Sequence, residues 1–283
     1  MTIVDPPPEV PTAAASAPDG HRSYSQLASY ERCAYAYYLT RLRDDIEERP
    51  DAWRPHGKAL HAAAEFWERS GRAKSRTDVQ EEFLRVYTIE IDAEMTRVPN
   101  LDFWASSGEH RAKDDIPRRR ALGLEQAGSY VDYYQANPDQ VPWTTPDGEP
   151  AIEHRLEVVL GGVLVVSIVD MILLHPTHGI IVRDNKITRP PPGAHQLCVY
   201  AAVVNEAYDT EISLGDYWIG DRGRPGRIRH LAGRGGEQCT PEYLAERFAW
   251  LDAQITAGNF PASPSRETCR SCSVNSFCSF RAV

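Results

Sequence analysis

The chain has 283 residues, of which 42% are hydrophobic and 25% charged, and its formal net charge is −9 at pH 7. This length and composition support an ordinary folded core in one large domain or two small ones. The excess of acids argues against a surface that coats nucleic acid non-specifically, although a local basic groove is still allowed. No stretch of about 18 apolar residues occurs, so we expect no transmembrane helix.

The chain begins with a segment rich in Pro and Ala that has no apolar periodicity. We expect residues 1–22 to form a disordered tail. The start lacks a basic stretch followed by an apolar run, so we expect no signal peptide. We expect residues 23–283 to form one domain, with a helical part at 23–150, an α/β core at 151–258 and a cysteine-containing end at 259–283.

Apolar residues near helical spacing predict helices in the first half of the chain. The first lies in the segment SYSQLASYERCAYAYYLTRL, which Ser23 or Ser25 can cap. Three more helices are predicted, at about 56–70, 75–95 and 118–136.

From residue 151 the pattern changes to runs rich in Val and Ile, which are typical of strands. The resulting order is α, then β-β-β-α-β, then α, which predicts a mixed α/β fold. Strands are predicted at 151–160, 162–174, 179–187, 211–220 and 227–232, a hairpin turn at 175–179, and helices at 193–207 and 241–258.

Four cysteines form the first strong pattern. Cys269, Cys272 and Cys278 have the spacing C-x2-C-x5-C, and Cys33 is the expected fourth ligand. Four soft thiolates suit an iron–sulfur cluster or a zinc ion. A metal bound by all four would tie the N-terminal part of the chain to its C-terminal part.

The remaining cysteines, Cys198 and Cys239, stand in no motif, and we interpret both as structural. Six cysteines in a chain of this kind indicate thiols or metal ligands rather than a disulfide framework. This pattern predicts a cytoplasmic protein.

Two acids and a lysine form the second strong pattern. If the hairpin is symmetric about Thr177, Asp170 lies opposite Asp184, and Lys186 projects from the same face as Asp184. Opposed carboxylates repel each other and destabilise a sheet. A Mg²⁺ or Mn²⁺ ion between them would remove that penalty, and the lysine could stabilise charge on a phosphate. The alternative is a solvent-facing acid pair with Lys186 as its ion-pair partner.

The surroundings of the acids favour the metal site. The strand that leads to Asp170 carries apolar residues on both faces, including Ile168, as expected for a buried central strand. An aspartate at the end of such a strand is costly unless it is compensated. On the next predicted helix, Gln196 and Tyr200 are four residues apart and share a face.

Basic residues cluster at two places in the chain. Each cluster is either a solvated surface or a set of phosphate contacts. The clusters are Arg118, Arg119 and Arg120, and Arg222, Arg224, Arg227 and Arg229 in a Gly/Pro-containing loop that Arg234 follows.

Taken in order, these motifs resemble the RecB-type branch of the PD-(D/E)XK nuclease superfamily. They are similar to the iron–sulfur exonucleases associated with CRISPR adaptation, to AddB-type nuclease domains and to their phage relatives. The shared elements span residues 23–278. They are the cysteine of SYSQLASYERCAYAYYL, the histidine of HGKALHAAAEF, the Asp of one strand, the D-x-K of the next, the Q-x3-Y of a helix, and the final C-x2-C-x5-C.

The resemblance implies a restriction-endonuclease-like mixed sheet flanked by helices. It also implies a [4Fe–4S] cluster that staples the N-terminal helical region to the C-terminus. The cluster ligands would be Cys33, Cys269, Cys272 and Cys278.

The resemblance further implies the ligands of a Mg²⁺ or Mn²⁺ ion. They would be His61, Asp170, Asp184 and the backbone carbonyl of Asn185, and Glu153 is a further acid to which little weight attaches. His61 is preferred to His56 because it completes a G-x3-H pattern with Gly57; without the resemblance, a surface histidine is the more usual interpretation.

The remaining site residues would act on the substrate or support the site. Lys186 would position the attacking water or stabilise the phosphate, while Gln196 and Tyr200 would contact DNA or brace the site. The chain departs from the family at Ser167, where Gly is usual, and at Asn185 and Ile187, where an aromatic residue and Thr are usual.

These features predict a Mg/Mn-dependent deoxyribonuclease. We expect an exonuclease acting on single-stranded DNA ends in recombination, repair or CRISPR-type spacer processing. The alternatives are a weak or inactive end-binding scaffold of the same fold, and a zinc-stapled interaction protein with no DNA role. The sequence contains no G-x-x-x-x-G-K-[ST] motif, so we expect that the chain does not drive DNA unwinding by that route. The resemblance, whose members include proteins that form rings or join helicases, implies a helicase or recombination partner or an oligomer, and no membrane partner is expected.

Overall fold

The computed structural model describes residues 20–189, 191–231 and 239–282. Contacts divide these residues into two compact units. Within the described ranges, no helix is both long enough and apolar enough to cross a membrane. The first unit comprises 20–49, 159–165 and 242–282, and the second comprises 50–158, 166–189, 191–231 and 239–241.

Residues 1–19 of the predicted tail lie outside the described residues, but its last residue is part of the first unit. Arg22 is 3% exposed and pairs with Asp252 at 2.6 Å. Its backbone N–H donates to the carbonyl of Leu164 at 2.8 Å. The first unit therefore includes Arg22, one residue before the predicted start of order.

Eight α-helices lie in the described part of the chain, and they agree in order with the predicted ones apart from a break at Cys33 and a short added helix near the C-terminus. They are α1 (Tyr24–Arg32), α2 (Ala34–Arg41), α3 (Trp53–Arg69), α4 (Arg76–Arg97), α5 (Ala112–Ala136), α6 (His195–Tyr208), α7 (Pro241–Thr256) and α8 (Arg266–Arg270).

Within the described ranges, seven strands form one mixed sheet, in which β3 and β4 are antiparallel and β4 and β5 are parallel. The helix α6 connects the two parallel strands, as a parallel pair requires. The strands are β1 (Val141–Pro142), β2 (Ile152–Leu160), β3 (Val163–His175), β4 (Gly179–Lys186), β5 (Leu214–Ile219), β6 (Arg224–Pro225) and β7 (Arg229–His230). The predicted mixed α/β class is confirmed.

The β3–β4 hairpin has the predicted symmetry. Met171 pairs with Arg183 and His175 pairs with Gly179, so the hairpin is centred on Thr177. Asp170 and Asp184 occupy the next positions along this register. The prediction that both faces of β3 are buried was wrong at Ile168, which is 52% exposed.

Two helices differ from the predictions. The first segment breaks at Cys33, whose φ of −167° and ψ of 105° are extended, and Ser23 caps α1 by accepting from the N–H of Gln26 at 3.3 Å. The helix α5 begins at Ala112 and continues through Pro117, whereas the sequence predicted a start after the proline. Asp115 stabilises this early start, because a carboxylate in the first turn interacts favourably with the helix dipole.

The core of the second unit fixes α3 against the sheet. Ala59, Leu60 and Ala63 of α3 belong to one buried cluster with Met171 of β3 and Trp218 of β5. These three positions share one face of α3. The packing of that face holds the adjacent, half-buried face of α3 beside the strands.

Cys198 and Cys239 form a disulfide with a sequence separation of 41 residues. The expectation that all six cysteines are thiols or metal ligands was therefore wrong for this pair. No sequence motif marks the bond, because the fold brings together a buried position on α6 and a position just before α7.

Candidate active site

The two hairpin aspartates face the same hydroxyl group. Asp170 and Asp184 are 5% and 1% exposed. The Tyr200 hydroxyl donates to Oδ1 of Asp170 at 3.0 Å and lies 3.4 Å from Oδ1 of Asp184. Oδ2 of Asp170 accepts the backbone N–H of Asn185 at 2.7 Å. The two carboxylates are therefore held side by side in the interior.

His61 reaches the acids from α3. Its Nδ1 lies 2.9 Å from Oε1 of Glu153 and 3.6 Å from Oδ2 of Asp170, and its Nε2 lies 3.1 Å from the carbonyl oxygen of Asn185. Only the imidazolium form can donate from both ring nitrogens. Burial opposes that charge, but Asp170, Glu153 and Asp184 raise the pKa of His61 to about 10.

Glu153 holds an unusual backbone conformation at this point. It is a non-glycine residue with a φ of +43°, in the left-handed region, although it belongs to β2. Such a conformation costs about 1–3 kcal/mol and occurs most often at functional sites. Sequence analysis gave Glu153 little weight, and only its acidity could have indicated it, because a single positive φ has no sequence signature in a strand.

Lys186 is oriented by the side chains of α6. Its Nζ donates to Oε1 of Gln196 at 2.8 Å, and Nε2 of Gln196 donates to the Tyr200 hydroxyl at 3.0 Å. Nζ also forms an ion pair with Oδ2 of Asp184 at 2.7 Å. Gln196 and Tyr200 of α6 therefore form a hydrogen-bonded chain from Lys186 to Asp170.

The negative charges of the buried aspartates are only partly neutralised by the neighbouring cations. Burial and the nearby Asp170 raise the pKa of Asp184 to about 7, against the opposing charges of Lys186 and His61. Burial also raises the pKa of Asp170. The side-chain Oδ1 of Asn185 is buried and has no hydrogen-bond partner among the residues that the structure describes. A cation at this position would relieve both conditions.

Three side chains are close enough to share one metal ion. One ligand atom each from His61, Glu153 and Asp170 lies within 4.8 Å of the other two. Carboxylate oxygens and an imidazole nitrogen suit Mn²⁺, and the carboxylates suit Mg²⁺. Asp184 adjoins this group through the Tyr200 hydroxyl.

The group opens into a cleft of about 630 Å³. His61, Glu153, Asn185 and Lys186 line the cleft, together with Arg189. A molecule in the cleft would therefore meet His61, Glu153 and Lys186.

His56 lies in the interior and takes no part in this group. Its ring nitrogens lie 2.8 Å from Oε1 of Gln126 and 3.2 Å from NH1 of Arg119. Burial and the Arg119 charge lower its pKa to about 4, so His56 is neutral. Gln126, which sequence analysis missed, also donates to the carbonyl of Ile187 at 2.8 Å, directly after Lys186.

Part of the first arginine cluster is an internal ion-pair network rather than a phosphate site. Arg118 and Arg119 both pair with Asp115, at 2.5 and 2.7 Å, and Arg119 is 6% exposed. Arg120 is exposed. The cluster Arg118–Arg120 therefore does not present three free cations to a ligand.

The four remaining cysteines meet in the first unit. Cys33, Cys269, Cys272 and Cys278 are free thiols that line one small cavity. Sγ of Cys33 accepts the N–H of Ser263 at 3.5 Å, and Sγ of Cys269 accepts that of Ala282 at 3.4 Å. Burial raises the pKa of the Cys272 and Cys278 thiols, and the neighbouring cysteines raise it further.

Comparison with known proteins gives the family. The chain is 34% identical over 265 residues to Gene 69 protein of Mycobacterium phage D29, covering 91% of this chain and 96% of that protein. It is 34% identical over 282 residues to Gene 69 protein of Mycobacterium phage L5, covering 91% of this chain and 95% of that protein. A model of the PD-(D/E)XK nuclease superfamily matches residues 21–279. Because this match covers most of the chain and agrees with the mixed sheet and its acidic hairpin, the chain belongs to the PD-(D/E)XK nuclease superfamily.

Proposed function

We propose that this protein is a divalent-metal-dependent deoxyribonuclease. The observation that carries the proposal is the convergence of His61, Glu153 and Asp170 within 4.8 Å of one another, in a member of a nuclease superfamily. The lysine of the D-x-K motif lies 2.7 Å from Asp184, the acid next to this group. A structural ion pair would not need a third carboxylate, a strained backbone or a buried amide oxygen without a partner.

The donor set fits Mg²⁺ or Mn²⁺. His61, Glu153, Asp170, Asp184 and the carbonyl of Asn185 would hold the ion, which extends the predicted set by Glu153. A bound ion of this kind lowers the pKa of the attacking water and neutralises charge that develops on the phosphate.

Each neighbouring side chain has a distinct role in this proposal. Lys186, whose side chain is 28% exposed, presents its ammonium group to the cleft and stabilises negative charge on the phosphate. Gln196 fixes the direction of Nζ, and Tyr200 holds Asp170 in place through its hydrogen bond. Positioning of this kind matters because small displacements at a reacting centre cost large factors in rate.

We further propose the RecB-type exonuclease branch, with single-stranded DNA ends as the substrate in recombination, repair or spacer processing. The support is the order of the motifs along the chain. The absence of a Walker-type motif from the sequence makes a separate helicase or recombination protein a reasonable partner.

End-labelled single-stranded and double-stranded DNA, with Mg²⁺, Mn²⁺ or EDTA, tests this function. We expect metal-dependent degradation of linear single strands, with circular single strands left intact. Asp184→Asn should abolish cleavage, whereas Asp114→Asn, at an exposed position of α5, should leave it unchanged. Binding of DNA ends without cleavage under any metal condition would instead support the scaffold alternative.

We also propose that the four free cysteines hold a [4Fe–4S] cluster. In a tetrahedral zinc site with Zn–S bonds of about 2.3 Å, the sulfurs lie about 3.8 Å apart. Among the residues that the structure describes, no three cysteine sulfurs lie within 4.8 Å of one another, whereas a cubane holds its thiolates further apart than a single ion does. The backbone N–H groups at two of the sulfurs would stabilise thiolates bound to either kind of metal centre.

Anaerobic purification with iron, sulfide and zinc analysis tests the cluster. We expect about four iron atoms per chain. Cys272→Ser should lose the iron and lower the thermal stability, whereas Cys198→Ser, in the disulfide pair, should retain the iron. One zinc and no iron in the unmodified protein would overturn the cluster proposal while leaving the nuclease proposal intact.

A further inference from the structure

The turn that follows β5 carries a dense group of arginines, here called the arginine hairpin (residues 220–230). It contains four arginines and one aspartate, which give it a net charge of +3 in a chain whose net charge is −9. Arg222, Arg224 and Arg227 are exposed. Such a local reversal of charge attracts an anionic ligand more strongly than the overall charge of the protein repels it at close range.

The arginines of the hairpin have no acidic partners among the described residues. Several other exposed arginines of the second unit are paired, as in Arg85 with Glu82 and Arg97 with Glu94, both at 2.6 Å. The one acid of the hairpin, Asp221, instead accepts from Nε2 of Gln126 at 2.9 Å. Within the described ranges the exposed arginines thus have no protein counter-charge, which leaves them able to bind an anionic ligand.

The hairpin is anchored to the strand that carries the catalytic candidates. Because β4 and β5 are parallel, Lys186 pairs with Ile219, and Ile219 pairs in turn with Arg224 of β6. The N–H of Asp221 donates to the carbonyl of Ile187 at 3.1 Å. A Cβ atom on Gly220 would lie 2.5 Å from that carbonyl oxygen, so a glycine is required at this close approach.

This placement gives a distance from the reacting centre. Two strand spacings separate Lys186 from Arg224, which is roughly 10 Å. At this distance the hairpin can contact the same DNA strand within a few nucleotides of a phosphate bound at Lys186.

Arg229 shows how the hairpin is held in shape. Its guanidinium lies 5.2 Å from the centre of the Tyr217 ring, and its NH1 donates to the carbonyl of Pro192 at 3.2 Å. This arginine is therefore used within the fold, and the other three remain available to a ligand.

We propose that Arg222, Arg224 and Arg227 bind the phosphate backbone of the DNA strand whose end enters the active-site cleft. This inference rests on the proposed nuclease function, because that function supplies the DNA strand. The contacts are to phosphates, so they hold the strand without reading its sequence.

The salt dependence of binding tests the hairpin. Binding of a single-stranded oligonucleotide is measured in EDTA over a range of salt concentrations, for the unmodified protein and for Arg222→Gln/Arg224→Gln/Arg227→Gln. Each phosphate contact contributes about 0.7 to the slope of log K against log salt for a single strand. We expect the triple variant to reduce the slope by about 2. The matched control Arg76→Gln/Arg85→Gln/Arg97→Gln removes the same charge from α4 and should leave the slope unchanged.

Hydrolysis of a small chromogenic phosphodiester separates this proposal from the nuclease proposal. The triple variant should hydrolyse it with Mn²⁺ at the rate of the unmodified protein. Equal slopes for the triple variant and its control would overturn the hairpin assignment, as would the absence of salt-dependent binding by the unmodified protein. If the unmodified protein hydrolyses neither the small phosphodiester nor DNA, the nuclease proposal is overturned, regardless of the salt dependence of binding.

Discussion

Metal binding at the candidate active site should compete with a proton on His61. Both ring nitrogens face oxygen acceptors, and the surrounding carboxylates raise the pKa of His61 to about 10. A metal needs a neutral imidazole, so binding must release the proton. The metal-free site is thus held together by an imidazolium that occupies the place of the cation.

The size of the pH dependence of metal affinity follows from the pKa values of His61 and Asp184. At pH 7 the pH is about three units below the pKa of His61, so removing the proton costs about 4 kcal/mol. This cost weakens the apparent metal affinity about 10³-fold. Between pH 7 and 10 the affinity should rise about tenfold per pH unit. Below pH 7, Asp184 is also protonated, since its pKa is about 7, and the slope should approach a hundredfold per unit.

Binding of Mn²⁺, followed by electron paramagnetic resonance of the free ion from pH 6 to 9, measures these slopes. His61→Asn should weaken binding at high pH and remove the slope above pH 7. The control His178→Asn lies in the hairpin turn, roughly 20 Å along β4 from Asp184, and should keep both slopes. A pH-independent affinity of the unmodified protein above pH 7 would refute the reasoning, as would an unchanged slope in His61→Asn.

Three further predictions concern the residues around the metal ligands. Glu153→Gln removes a carboxylate that hydrogen-bonds His61. It should therefore lower the Mn²⁺ affinity at high pH and move the pH dependence of binding to lower pH. The same Mn²⁺ titration checks this, and an unchanged curve would remove Glu153 from the site. Tyr200→Phe should lower kcat on DNA about tenfold while the metal stoichiometry stays the same, because it loses one hydrogen bond to a carboxylate worth about 1.5 kcal/mol. Gln126→Leu removes the side-chain donor to the Ile187 carbonyl. It should lower kcat, and it should lower the free energy of unfolding by about 1–3 kcal/mol. The control Gln80→Leu removes a hydrogen bond to the carbonyl of Leu124 on another helix and should leave kcat unchanged.

The hairpin was predictable because its determinants are local. Alternating Val and Ile runs on both sides of the turn fix the register around Thr177, and a strand register places Asp170 and Asp184 at matched positions. The shared face of Gln196 and Tyr200 followed from helical spacing alone. These two patterns explain why most of the candidate residues could be placed before the structure was known.

Other features depend on contacts between distant segments. Gln126 acts at the end of β4 only because α5 packs there, and the disulfide of Cys198 with Cys239 depends on where α6 and the segment before α7 meet. The strained φ of Glu153 is imposed by its surroundings rather than by its own preference. A single sequence carries no pattern for such features.

The arginine hairpin combines a local sequence pattern with a placement that only the fold determines. Sequence analysis identified the cluster but left a solvated surface and a phosphate site as equal alternatives. The parallel pairing of β4 with β5 favours the second, because it places the cluster beside Lys186. In contrast, the ion pairs of Arg118 and Arg119 with Asp115 make these two members of the other arginine cluster structural.

A crystal of the protein soaked in Mn²⁺ tests the metal site most directly, through the anomalous scattering of the ion. We expect one strong peak bounded by side-chain atoms of His61, Glu153 and Asp170, with Asp184 beside it, and no such peak in Asp170→Asn crystals. A peak at another place, with His61 still hydrogen-bonded to Glu153, would contradict the proposed metal centre. The absence of any peak at saturating Mn²⁺ above pH 8 would contradict it as well.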